Sequence, residues 1–194
     1  MNKIFFLIKN NTSFYTILIF LINKLSRMFV KRKIIKFKRE HEKNIKNKKI
    51  SNDYFSSHAY NFFIYLNQLN KNFRYLEIGS YEGNSAIFIA NTFPHSKVNC
   101  VDTWQKTNEY SDHKSFLKIE NNFNHNILEY KNINKIKKSS DEFFTKNNLK
   151  FDVIYIDGYH YGPQVFKDCM NAWRFIEKDG FLICDDYIWD FILI

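Results

Sequence analysis

From about residue 72 onward, the apolar positions switch repeatedly between two periods. Arg74–Ile78, Val98–Val101 and Phe151–Ile156 are short, mainly apolar segments, each stopped by a turn residue or an acid, and Val153–Ile156 is β-branched or aromatic throughout. That is the pattern of strands buried on both faces. Between them the spacing becomes helical. Ala86, Ile89, Ala90 and Phe93 predict a helix from Asn84, and Phe116, Ile119, Phe123 and Ile127 predict one over 113–128. Pro163 opens a third, whose stripe of Val165, Cys169, Ala172, Trp173 and Ile176 would face a sheet. A weaker strand over Asn132–Ile136, a short helix from Asp141 and a last strand within Gly180–Tyr187 complete the series. Phe55, Ala59, Phe62, Phe63, Leu66 and Leu69 predict a helix over Asp53–Leu69 ahead of it. Alternating strands and helices imply an α/β domain with a doubly wound, mostly parallel sheet, here residues 51–194. In such sheets ligands bind at the carboxyl ends of the strands.

Residues 1–50 follow a different pattern. Ile4–Ile8 and Phe14–Ile22 are apolar, but polar residues separate them, and the longer run falls well short of the ~20 residues that span a bilayer. Asn23-Lys24-Leu25-Ser26-Arg27 follows, without the small residues of a signal-peptide cleavage site. Two readings stand. One is a helical extension packed on the domain with a solvated charged face; the other is a segment that touches an anionic membrane surface.

Charge sharpens the contrast. Residues 1–50 hold 14 Lys/Arg against Glu40 and Glu42, whereas residues 51–194 hold 15 against 18 acids. The mildly acidic domain argues against a nucleic-acid partner. Cys100, Cys169 and Cys184 each fall inside a predicted element and show no metal-binding spacing. Reduced core thiols imply a reducing, cytoplasmic setting.

The candidate chemistry sits at strand ends. Glu77-Ile78-Gly79 with Gly83 forms a strand-to-helix turn in which Gly79 lets a ligand approach the backbone. Tyr81 occupies the middle-glycine position of a dinucleotide fingerprint, and no Gly-Lys-Ser/Thr follows as in a P-loop. Asp102 ends the second strand, where an acid can accept hydrogen bonds from ribose hydroxyls, although turn and capping aspartates also occur there. Together they point to a nucleoside-containing cofactor. Asp157 and the pair Asp185–Asp186 end the last two strands. Clustered carboxylates repel unless a proton or a cation bridges them, and hard oxygen ligands suit Mg²⁺ or Ca²⁺. The alternative makes them turn acids with no metal. His160, three residues past Asp157, is placed as a general base for a hydroxyl or as a surface histidine. Trp104 fits either a pocket wall or the core.

LEIGSYEG (76–83), VDTW (101–104), SSDEFF (139–144), FDVIYIDGYH (151–160) and GFLICDDY (180–187) occur in that order. In this the chain resembles class I S-adenosylmethionine-dependent methyltransferases, and within them the small-molecule and sugar O-methyltransferases with IDGxH and DDY strand ends. The resemblance implies a Rossmann-like fold with S-adenosylmethionine as cofactor. Glu77, Gly79, Ser80 and Gly83 would line its methionine end, Asp102 its ribose and Ser140 its adenine. Asp157, Asp185 and Asp186 would hold Mg²⁺, with Asp157 catalytic; His160 stands where the catechol enzymes carry a lysine, so its catalytic base role is analogous to theirs, and Tyr159, Tyr161 and Tyr187 would shape an acceptor pocket.

The family's sheet has two further strands after the DDY segment. This sequence ends seven residues past Tyr187, so those strands are expected to be missing: either the sequence is a fragment, or the extension or a second copy covers the exposed edge. The expected function is methyl transfer to a hydroxyl of a small molecule or sugar. Its rivals are a nucleotide-dependent oxidoreductase of the same fold class and a non-catalytic, degenerate domain at a membrane surface.

Overall fold

A computed structural model describes residues 14–69, 72–105 and 113–185. Asp186, Tyr187 and the apolar tail after them lie outside the described residues, as do Ile4–Ile8. The elements run α1 (Phe14–Asn44), α2 (Ala59–Leu66), β1 (Arg74–Ile78), α3 (Asn84–Thr92), β2 (Lys97–Asp102) and α4 (His113–Ile127). They continue with β3 (Ile133–Lys137), α5 (Ser140–Lys146), β4 (Phe151–Ile156), α6 (Gly162–Trp173) and β5 (Ile176–Cys184). The described strands form one sheet in the order β3-β2-β1-β4-β5, every pair parallel. The order reverses between β1 and β4, the switch point at which such sheets open a crevice.

Continuous apolar runs made these strands because both faces are covered. One face carries a core of Tyr75, Ala86, Ile89, Cys100, Phe123, Val153 and Tyr155; the other carries Leu76, Ile78, Val101, Phe144, Ile154 and Ile156. Alternate residues of β1 and β4 point to opposite cores, as a pleated strand requires. Helix α3 is buried from Asn84 to Ala90, because α1 packs over the side that the sheet does not cover: His41 lies edge-on to Phe88 at 5.3 Å. Phe37 of α1 stacks against Tyr60 and Phe63, and Phe55 seals the junction ahead of α2. α2 is thus shorter than its apolar spacing suggested, since Phe55 is buried from a turn.

Two expectations fail at α6. Trp173 is 68% exposed, and Ile176 begins β5 instead of continuing the helix. The helix ends at Trp173 and the chain turns through Arg174 and Phe175 so that Ile176 pairs with Phe151. The helix's inward face is instead Val165, Asp168, Cys169 and Ala172. A register shift between Phe151 and Val153 then absorbs Asp179 and Gly180 before Phe181 meets Val153. The three cysteines are free thiols; Cys169 and Cys184 bring their sulfurs to 3.4 Å across the α6–β5 contact. No helix among the described residues is long and apolar enough to cross a membrane.

Candidate active site

A cleft of about 700 Å³ opens at the carboxyl ends of β1, β2 and β4, a size that suits a cofactor. Gly79, Ser80, Asp102, Ser140, Asp157, His160 and Asp185 line it, so most of the residues singled out in the sequence meet in one place.

The turn after β1 forms its floor. Gly79 has φ +88°, and a Cβ there would fall 2.1 Å from the carbonyl oxygen of Asp157. Only glycine lets β1 and β4 close so tightly while the backbone faces the cleft. Glu77 does not line the cleft; it lies fully buried beneath the turn. There it accepts hydrogen bonds from the Ser85 hydroxyl, from Ser80 Oγ at 3.2 Å and from Cys100 Sγ at 3.7 Å. Burial, reinforced by Asp157, raises its carboxyl to about 8. At neutral pH Glu77 is therefore largely a neutral acid that fixes the turn. Gly83 also stands behind the wall, with φ +82°, where a Cβ would press on Phe123 at 3.1 Å.

Asp102 is the clamp of the site. Its Oδ2 accepts from the backbone N–H groups of Ser80 and Tyr81, both at 3.0 Å, and its Oδ1 from that of Trp104 at 2.7 Å. Burial holds its carboxyl above the usual carboxylate range, against the opposing pull of these backbone donors. Tyr81 and Trp104 both adopt left-handed backbone angles, φ 47° and 45°, and the indole N–H of Trp104 donates to Tyr81 O at 2.8 Å. Trp104 is a core residue against Phe123, 4.6 Å between ring centres. Two strained turns are thus locked to each other and to one carboxylate.

Opposite, Ser139 caps α5 in a capping box with Glu142, which brings Ser139, Ser140 and Asp141 to the cleft. Gln164 of α6 reaches Ser140 Oγ at 3.3 Å and Asp168 Oδ1 at 3.0 Å.

The acid pair meets at β4 and β5. Asp157 N–H donates to Ile78 O and Asp185 N–H to Ile156 O, which sets the two carboxylates side by side. The phenol of Tyr155 lies 3.0 Å from Asp157 Oδ2 and 2.8 Å from Asp185 Oδ2. It has one proton for two acceptors. Burial raises Asp157 to about 6, Asp185 adds repulsion, and His160, whose Nε2 is 3.8 Å from Asp157 Oδ1, opposes the rise. This donor set fits a hard divalent cation, which would relieve the crowding. Among the described residues no group of three or more metal-ligating side chains assembles, and Asp186 lies outside them.

Several lining residues carried no signal in the sequence. Asn52, Tyr54 and His58, from the segment joining α1 to α2, enter the cleft, as does Asn84 at the start of α3. Asn84 Nδ2 donates to Asp53 Oδ1 at 2.9 Å, so its Oδ1 faces His41 Nε2 at 2.7 Å. That geometry assigns His41 the Nε2–H tautomer, and burial lowers its pKa. His41 is 2% exposed and joined to the cleft wall.

A methyltransferase-domain family model matches residues 76–187, more than half of the chain. No curated protein matches it. Among solved structures it is similar to a putative caffeoyl-CoA O-methyltransferase from Staphylococcus aureus, at 16% identity over 85% of this chain and 73% of that one, TM-score 0.52. It is also similar to a putative O-methyltransferase from Klebsiella pneumoniae, at 12% identity over 79% and 63%, TM-score 0.53. A precorrin-6y C5,15-methyltransferase from Geobacter metallireducens matches at 11% identity over 71% and 65%, TM-score 0.54. The chain spans about half the length of other matched structures. These likenesses agree on the fold, and the family model, which spans the turn, clamp and acid pair, places the chain in the methyltransferase-domain family.

Proposed function

We propose that the cleft holds S-adenosylmethionine and passes its methyl group to a hydroxyl oxygen of a small molecule or sugar. The observation that carries this reading is the meeting, in one cleft, of the Asp102 clamp with the Asp157–His160–Asp185 cluster. Asp102 has used three of its acceptor positions on the turn; what remains suits a ribose hydroxyl. Gly79 and Ser80 would lie along the methionine end, and Ser140 beside the adenine.

S-adenosylmethionine held in the cleft would supply an activated methyl group, which an acceptor oxygen would take as the carbon–sulfur bond breaks, leaving a neutral thioether. The hydroxyl proton passes to His160. Asp157, ionised above about pH 6, orients the imidazole and stabilises the imidazolium that forms. Positioning supplies much of the rate, because the donor methyl is already activated. Asp157, Asp185 and Asp186 would hold Mg²⁺. Bound there, the ion would lower the pKa of the acceptor hydroxyl. Tyr54, His58 and Tyr159 offer aromatic and polar surface for an acceptor.

The test is production of S-adenosylhomocysteine with a panel of catechols and sugars. His160→Ala should lower turnover by about 100-fold or more while leaving cofactor binding intact. Unchanged turnover would remove the base role, and transfer only to nitrogen acceptors would reject the hydroxyl assignment.

A further inference from the structure

Helix α1 is 31 residues long, and only one side of its second half is used by the domain. Val30, Ile34, Phe37 and His41 turn inward. On the opposite side runs a stripe that nothing in the described chain covers. Phe14, Leu18, Leu21, Leu25 and Met28 recur at i, i+4, i+7, i+11 and i+14, and all are exposed, with Ile22 and Phe29 beside them. Phe29 is 90% exposed and Met28 70%. The apolar part extends about 21 Å along the helix. The same stripe then changes character, continuing as Arg32, Lys36, Arg39 and Lys43, with Lys31 and Lys33 flanking it. The acids of this helix, Glu40 and Glu42, lie within 3.8 and 3.6 Å of Lys36 and Lys38, so the cationic excess falls on Lys31–Lys33 and Arg39.

We infer that this stripe of α1 is a docking surface for an anionic lipid bilayer, into whose interface the Phe14–Phe29 face enters while the Lys31–Lys43 face meets the headgroups. The two halves match the two layers of a bilayer surface: an apolar face buried at the acyl boundary, and cations held by anionic headgroups. A second copy of the chain is the competing occupant, since the apolar spacing also suits helix pairing. It would set Arg32, Lys36 and Arg39 of one stripe against like charges on the other in a parallel pair, and would leave this basic half unanswered in an antiparallel one. Because α1 also carries His41, which meets Asn84 at 2.7 Å, and leads into the Asn52–His58 segment lining the cleft, such docking would hold the cleft at a fixed distance from the surface.

The test is co-sedimentation of the full chain with vesicles of phosphatidylcholine alone and of phosphatidylcholine mixed with phosphatidylglycerol. Two variants accompany it, Leu25→Glu/Met28→Glu and Arg32→Gln/Lys36→Gln/Arg39→Gln. All these positions are exposed, so circular dichroism and thermal unfolding should match wild type. Wild-type chain should partition at least about tenfold more strongly onto the anionic vesicles than onto neutral ones, and both variants should lose that partition. Wild-type chain that stays in the supernatant with anionic vesicles overturns the inference. So do variants that bind like wild type. A stable dimer broken by Leu25→Glu/Met28→Glu, without vesicle binding, would give the stripe to a second copy.

Discussion

His41 Nε2 lies 2.7 Å from Asn84 Oδ1, a buried contact between the N-terminal extension and the wall of the cleft. The extension's end is strapped further. Ser51 donates its N–H and its hydroxyl to buried Glu82, and Asn126 bonds Lys49 through both its amide oxygen and nitrogen. The segment before the sheet thus holds the start of α3, where the turn after β1 ends.

His41→Ala would leave Asn84 Oδ1 without its donor and open space beside Phe55 and Phe88. A loss of about 2 kcal/mol is expected. His41→Gln, which can restore a donor, should recover part of it. His41 also sets an acid limit. Its folded pKa is lowered by burial, so below about 6.5 the unfolded chain takes up a proton that the folded chain refuses. Stability should therefore fall as pH drops from 6.5, and His41→Gln should remove that slope. Urea unfolding at several pH values measures both effects.

Glu77 works in the other direction. Its folded pKa of about 8 exceeds the unfolded value of 4.5, so between them the folded chain binds more protons and stability declines as pH rises. The slope is at most about 1.4 kcal/mol per pH unit. Glu77→Gln keeps the shape without the charge. Its unfolding curve should lack that slope and match or exceed wild-type stability above pH 8.

Tyr155→Phe removes the phenol that Asp157 and Asp185 share. Less well solvated, Asp157 should hold its proton to a higher pH. On the proposed mechanism, in which Asp157 must ionise, the acid limb of methyl transfer should therefore move to higher pH. A pH–rate profile of the variant that superimposes on wild type would show that this carboxyl does not set the limb.

Two glycine substitutions separate close approach from mere flexibility. Gly79→Ala drives a Cβ into the Asp157 carbonyl at 2.1 Å, and loss of folding or of several kcal/mol is expected. Gly162→Ala meets nothing within 4 Å at the start of α6 and should be neutral or stabilising by about 0.5 kcal/mol. Thermal denaturation of the pair gives the comparison.

Local pattern exposed the parts of the fold that depend on local pattern. β4 is legible because Val153–Ile156 form an apolar run buried on both faces, β1 because Tyr75, Leu76 and Ile78 do the same around Glu77, and Gly79 and Asp102 because each stands at a strand end. Ile176 was misplaced because the helical spacing of its predecessors happens to extend one turn beyond the point where the chain folds back into the sheet. Trp173 looked inward by the same rule, while Asp168, a charged residue, took the inward place. The His41–Asn84 contact spans 43 residues, and no periodicity encodes a pairing at that distance. Tyr155 read as a strand aromatic; that its hydroxyl would reach two acids depends on how far β5 slides along β4.

Calorimetric titration of the full chain with S-adenosylmethionine and S-adenosylhomocysteine, beside Asp102→Asn, tests the central claim most directly. The cleft described here should bind both at micromolar concentration, with affinity falling at least about tenfold in Asp102→Asn, which offers one acceptor oxygen where the wild type offers two. A folded wild-type chain that releases no heat with either compound, and shows no thermal stabilisation by them, would contradict the assignment of this cleft to the cofactor.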